Sequence, residues 1–140
     1  MIRHDRGGLL SFLDRRKVER LLGVPLPKGA RRVHYLLWRP SDHLAYHEAL
    51  IRFEADRDAY LSFVHARGLT PFSESGPDVH LPIDWSPAPE ITRPRWWNPT
   101  PATPPDAASG KVGLYGSLAA KWEDGKVFVL IEDTGHRERR

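Results

Sequence analysis

Ten of the 13 prolines in this chain fall between residues 71 and 110, at positions 71, 77, 82, 87, 89, 94, 99, 101, 104 and 105. Each one removes an amide donor and fixes φ, so no long helix and no central strand can cross the stretch. At most, "DVHLPID" (78–84) makes a short edge strand. Forty residues without regular structure are long for one domain. Yet the stretch carries Phe72, Leu81, Ile83, Trp85, Trp96 and Trp97, too much apolar surface for a free linker. It is therefore expected to be held down on a body built by the rest of the chain.

Local signals outline that body. "SFLD" (11–14) fits a capping box, and Leu13, Val18, Leu21 and Leu22 recur at helical spacing. Gly23 and Val24-Pro25 supply the stop. The prediction is a helix over 12–22 with Arg15, Arg16 and Arg20 on its polar side. "LPKGA" (26–30) reads as a turn and "RRVHYLLW" (31–38) as a strand ended by Arg39-Pro40. "AYHEALIRFEA" (45–55) fits two periods. Alternation puts His47, Ala49, Ile51 and Phe53 on one face, whereas a helix from Ser41 would align Tyr46, Leu50 and Phe53. The strand reading is preferred because Asp56 then caps a helix over 57–67 that ends at Gly68.

The end of the chain is the clearest element. "GLYGSLAAKW-EDGK-VFVLIED" is a hairpin turning at Asp124-Gly125, a pair suited to a type I′ turn. It pairs Glu123 with Lys126, Trp122 with Val127, Ala120 with Val129 and Leu118 with Ile131. The last three pairs are wholly apolar and define the core face. The opposite face, with Lys121/Phe128, Ala119/Leu130 and Ser117/Glu132, is expected to be half covered at best. The fold class is therefore α+β, one domain over 1–140: an antiparallel four- to five-stranded sheet with two helices packed on one face and a long Pro-rich loop at 71–110. Residues 136–140 are a charged tail.

Composition bounds the chemistry. At 40% hydrophobic and 28% charged residues, the chain has the make-up of a folded globular protein. No apolar run approaches the roughly 18–20 residues that cross a bilayer. "MIRHDRGGLLSFLDRRK" has no small-residue cleavage site, so no secretory signal is read there. The expectation is a soluble cytoplasmic protein with no membrane association. The absence of cysteine removes disulfides, thiolate metal sites and cysteine nucleophiles from consideration. Residues 1–39 hold ten Lys/Arg against Asp5, Asp14 and Glu19, a local charge of +7; the remainder holds 11 bases and 15 acids, a local charge of −4. Such asymmetry suits either an anionic partner or acidic loops of the same molecule.

No catalytic signature emerges. His43 and His47 have i, i+4 spacing, but on a strand the two imidazoles lie about 13 Å apart and cannot share a metal. No metal or cofactor is therefore expected. Each of Glu48, Glu54, Asp56, Asp58, Asp84, Glu132 and Asp133 has a structural role as ready as a catalytic one. Asp84, beside Trp85, is the carboxylate best placed for desolvation. Gly113-Leu-Tyr-Gly116 has GxxG spacing but reads as part of a strand, where glycines mark a bulge or the close approach of a neighbouring side chain, a tryptophan among the candidates.

What stands out is "RPRWWNPTP" (93–101). Arg93, Arg95, Trp96 and Trp97 offer stacking and cation–π contacts of roughly 0.5–2 kcal/mol each. Adjacent residues of extended chain point to opposite sides, so one indole is expected to dock on the sheet and the other to stay partly exposed. The succession "LPKGARRVHY", "ALIRFEADRDAYLSFVHARGL", "WWNPTP" and "GKVFVLIED" resembles a loosely defined group of small bacterial proteins and lipoproteins of unknown function. The resemblance spans most of the chain and implies no activity. This chain lacks the lipid-attachment cysteine, so membrane tethering does not carry over. Three functional readings follow, in order. The first is a non-enzymatic accessory protein that acts through a protein partner, such as an inhibitor, an immunity-type protein or an assembly factor. It would use Arg93, Arg95, Trp96, Trp97, Arg15, Arg16 and Arg20. The second is a single-stranded nucleic-acid binder using the basic N-terminal region and the Arg/Trp loop. The third is a small enzyme with a carboxylate or histidine base. The oligomeric state is not legible.

Overall fold

The computed structural model describes residues 2–6, 12–39, 47–74, 84–113 and 116–133. In chain order these form β1 (Ile2–Arg6), α1 (Phe12–Leu22), β2 (Arg31–Arg39), β3 (His47–Glu54), α2 (Arg57–Arg67), the two-residue β4 (Thr70–Pro71), a single 3₁₀ turn (Phe72–Glu74), β5 (Ala108–Val112), β6 (Gly116–Glu123) and β7 (Lys126–Asp133). Ser11, His43, His80 and residues 136–140 lie outside the described residues, as does the expected edge strand except for Asp84.

Both helices end as the sequence predicts. The Asp56 carboxylate accepts from the Ala59 amide at 2.8 Å, and Gly68 closes α2 at φ 73°. Gly23 ends α1 at φ 85°, with its N–H returned to Glu19 O. The segment that fits two periods is a strand, β3, because its alternation places Ala49, Ile51 and Phe53 in one core.

One antiparallel sheet runs β1-β2-β3-β7-β6-β5-β4. It exceeds the four to five strands expected: among the described residues, six strands have five residues or more, and β4 adds two. The extra strands were hidden for physical reasons. β1, "IRHDR", is mostly charged, which an edge strand tolerates but which leaves no apolar alternation to detect. β5, "ASGKV", is short and follows the prolines, so it reads as loop. Together with β4 it draws both ends of the supposed 71–110 loop into the sheet. The described irregular segment is 84–107, hereafter the strap.

The terminal hairpin has the expected register, Glu123 opposite Lys126 through Leu118 opposite Ile131. Asp124 and Gly125 sit at φ 51° and 84°, the left-handed pair of a type I′ turn. Gly113 lies in the turn between β5 and β6 at φ 59°, not inside a strand. Gly116 opens β6, where a Cβ would stand 2.6 Å from Val112 O and 2.9 Å from Glu132 O. Backbone, and not a tryptophan, is what crowds it.

Side-chain alternation gives the sheet two apolar faces. On one, Val18 and Leu22 of α1 and Tyr60, Phe63 and Val64 of α2 pack over Ile51, Phe53, Val127, Val129 and Ile131. Tyr60 also donates to Asp106 O at 2.5 Å; burial, reinforced by the Asp106 carboxylate, pushes its hydroxyl above the ordinary tyrosine range, so it stays a donor. On the other face, Leu36, Leu50, Phe128 and Leu130 meet Ile91 and Trp97 of the strap, while Ala119 meets Trp85 and Ala107. The outer hairpin face is covered further than expected: Ala119, Lys121, Phe128 and Leu130 are all buried, while Ser117 is half-buried and Glu132 exposed. The chain is three layers, helices on sheet on strap. Arg67 ties two of them, donating to Leu22 O at the end of α1 (2.7 Å) and to Lys111 O on β5 (2.5 Å).

Candidate functional site

The strap is fixed by buried indoles and by charged side chains of the sheet. It enters through Asp84 and Trp85, both left-handed at φ 50° and 58°. For non-glycine residues this costs roughly 1–2 kcal/mol apiece. Burying an indole of about 200 Å² at about 25 cal/mol per Å² contributes some 5 kcal/mol gross, which outweighs it. Trp85 is fully buried, and its Nε1 donates to Thr103 Oγ1 at 3.2 Å. Trp97 is 1% exposed; its Nε1 donates to Trp85 O at 3.1 Å and its ring meets Phe128 edge-on at 5.4 Å.

Irregular backbone leaves amides and carbonyls that a ladder would otherwise satisfy. The sheet answers them. The fully buried Lys121 ammonium donates to Thr100 O (2.7 Å) and Ala102 O (2.9 Å), pairs with Glu123 at 2.8 Å and lies 5.1 Å from the centre of the Trp85 ring. Glu123 accepts from the amide and hydroxyl of Thr100. Burial pushes its carboxyl up, but the hydrogen bonds from Lys121 and Thr100 outweigh this and hold it below the ordinary glutamate value. Buried Glu48 accepts from the Ala88 amide at 3.2 Å.

These contacts decide the fate of the paired tryptophans. With Trp97 inserted, Trp96 faces the surface and is half-buried. Its indole stacks on His34 at 5.3 Å and 27° and meets Trp97 edge-on at 6.4 Å; its carbonyl accepts from Arg52 Nη1 at 3.1 Å. His34 and Arg52 face each other in the β2/β3 register. Between that pair and Arg31/Glu54 the register shifts, and the bulged residue Arg32 stands at φ 50°. The guanidinium of Arg32, 75% exposed, lies 3.6 Å from Glu54 Oε2, and that of Arg52 lies 3.8 Å from the same oxygen. Arg52 Nε is buried without a hydrogen-bond partner. Arg95 is exposed, and Arg93 is exposed with its guanidinium on Ser86 Oγ at 2.8 Å.

The expected partner-binding residues thus fall into two groups. Arg93, Arg95 and Trp96 lie on the strap, with Trp97 serving as its anchor. Arg15, Arg16 and Arg20 belong to α1, across the sheet on the other face. Arg15 is half-buried; Arg16 and Arg20 border a cleft of about 410 Å³ with Glu19, Gly23, Val24 and Pro25, and the Glu19 carboxylate there accepts from the Leu26 amide at 2.8 Å. His34 and Arg52 join the Trp96 surface unannounced, and Arg32 is linked to Arg52 through the shared Glu54 oxygen. Only the β2/β3 register and its bulge bring them there, and neither is legible in residue spacing.

Of the titratable candidates, the β3/β7 register sets His47 opposite Asp133 and Glu48 opposite Glu132. Asp84, expected to be desolvated by Trp85, is exposed, because the left-handed turn sends the indole inward and the carboxylate out. Asp56 is a helix cap and Glu54 an ion-pair partner. His47 is half-buried; burial lowers its pKa, opposed by Asp133 and aided by Arg39. Among the described residues no three His, Asp or Glu side chains gather as metal ligands, and no helix is long and apolar enough to cross a membrane. Compared with models of known families, with curated proteins and with solved structures, the chain matches none.

Proposed function

We propose that this chain is a small non-enzymatic binding protein that acts, in the cytoplasm, through a protein partner, and that the surface around Trp96 is where the partner docks. The observation that carries the reading is the division of labour between adjacent indoles: Trp97 is sealed in the core while Trp96 is held at the surface, its ring braced by His34 and its carbonyl by Arg52, with exposed Arg95 next to it in the chain. Tryptophan and arginine are the residues that most often carry interface energy, and they do so best when pre-positioned, because less side-chain entropy is then lost on binding. The single-stranded nucleic-acid reading is less well supported. Such proteins line a basic groove with successive open rings. Here the second indole is buried, one face of Trp96 is taken by His34, and the α1 arginines lie across the sheet.

A photo-crosslinking residue at position 98, exposed and two residues from Trp96, introduced into the chain in its native cells, tests this. A single defined protein adduct that is outcompeted by unlabelled wild type, but not by Trp96→Ala, is the expected result. Competition by Trp96→Ala as strong as by wild type would remove Trp96 from the interface.

A further inference from the structure

We infer that the partner presents an acidic polypeptide segment to this surface, its carboxylates meeting Arg32 and Arg95 and a neighbouring aromatic or apolar side chain lying on the Trp96 indole. This deepens the protein-partner reading above and rests on it.

Three observations converge on acid. First, positive charge is in excess. Arg52 donates to the Trp96 carbonyl, Arg32 shares the Glu54 oxygen with Arg52, and exposed Arg95 precedes Trp96 in the chain, while Glu54 is the one carboxylate hydrogen-bonded or ion-paired to any of these three among the described residues. Second, Arg32 is underused. Arg32 and Arg52 meet the same oxygen of Glu54 at 3.6 and 3.8 Å, ion-pair distances beyond the 2.7–3.2 Å typical of a hydrogen bond. A guanidinium carries five donors arranged to grip a carboxylate with two parallel bonds. Arg32, 75% exposed, has that fork open to an incoming chain.

Third, the placement of Arg32 is strained. A non-glycine residue at φ 50° in a β-bulge is disfavoured, and such outliers persist where the surroundings demand them. A glycine at this position would take the same backbone without penalty. Arginine there instead carries its cation to the Glu54 oxygen that Arg52 also meets, and among the described residues this exposed ion pair, an interaction of small value, is its one polar contact.

A polypeptide suits the surface better than a phosphate backbone does. The half-buried indole is a single platform, with His34 on one face and Trp97 at its edge, which fits one side chain and not a run of bases.

The test measures binding of three fluorescein-labelled probes to the full chain: a twelve-residue peptide of alternating Glu and Tyr, its Lys/Tyr counterpart, and single-stranded oligo(dT) of equal length. The expected result is saturable binding of the Glu/Tyr peptide alone, weakening about tenfold as salt is raised from about 50 to about 300 mM through screening of exposed charge. Arg32→Glu and Arg95→Glu should each weaken it about tenfold or more. Arg32→Gly should weaken binding as well while raising the midpoint of thermal unfolding, since it removes the cation and relieves the left-handed residue together. Stronger binding of the Lys/Tyr peptide or of oligo(dT), failure to bind the Glu/Tyr peptide, or Glu/Tyr binding unchanged by Arg32→Glu and Arg95→Glu would each overturn the inference. So would an Arg32→Gly protein that melts lower than wild type. If the Glu/Tyr peptide fails while Trp96→Ala still abolishes competition for the crosslink, the acidic segment falls and the protein-partner reading stands. If Trp96→Ala competes fully, the parent reading falls.

Discussion

The sheet is closed on both faces, but by unlike devices. The helix face is covered by α1 and α2, which satisfy their own backbone and need only present Val18, Leu22, Tyr60, Phe63 and Val64 at helical spacing. The strap face is covered by chain with no ladder of its own. There the sheet must supply donors and acceptors: Lys121 for Thr100 O and Ala102 O, Glu123 for Thr100 N, Glu48 for Ala88 N, and Arg52 for Trp96 O. The two fully buried charged residues among those described, Glu48 and Lys121, both stand on this face. The difference teaches that irregular chain can serve as a core layer only when the surface beneath it is written with charge as well as with apolar bulk.

The harshest way to break the comparison is Trp97→Ala. Removing the plug should destabilise the protein by about 3–5 kcal/mol, the range for a large buried aromatic. Amide exchange should accelerate across 84–107 well before it does in α2. Equal acceleration in both layers would mean the strap is not a separable unit. Lys121→Met keeps the side-chain volume but orphans two strap carbonyls, and should cost about 2–3 kcal/mol in denaturant unfolding. Adding Glu123→Gln should not restore the loss; recovery would show that charge pairing, and not carbonyl satisfaction, is what Lys121 provides. On the helix face, Asp56→Ala removes only a cap and should cost about 1 kcal/mol, with no effect on strap exchange.

The smallest effects come from pH, and they separate the two faces. His47, on the helix face, has its folded pKa lowered chiefly by burial. The unfolded chain therefore takes the proton first, and the contribution is complete above the ordinary histidine value of 6.5 and lost as pH falls below it. Glu123, under the strap, is also lowered, so its contribution is complete above the ordinary carboxylate range and lost as pH falls through its folded value. Stability followed against pH should soften first near 6 and again in the carboxylate range, with His47→Gln flattening only the first step and Glu123→Gln only the second.

What the sequence disclosed followed from periodicity and from turn chemistry. Asp56, Gly68 and Asp124-Gly125 announced two helix ends and a hairpin because each residue does its work within four positions of itself. The alternation of Trp96 and Trp97 was legible for the same reason. What stayed hidden depends on distant chain. Lys121 reads as a solvent-facing lysine until residues 100–102 are laid over it. Asp84 reads as a buried acid until its backbone turns left-handed. Arg32, His34 and Arg52 converge only through the register of two strands and a bulge that no spacing rule encodes.

The bond from Arg67 to Lys111 O reaches beyond joining a helix end to a strand. Among the described residues β4 pairs with β5 at Ala108 and Ser109 and not at its last residues, whose outer rim is the kind of edge on which a strand can add. A guanidinium seated on the Lys111 carbonyl occupies that rim, and Pro71, on the outermost strand, has no N–H to lend. At this rim, then, one carbonyl is already taken and one amide is missing where an added strand would need both.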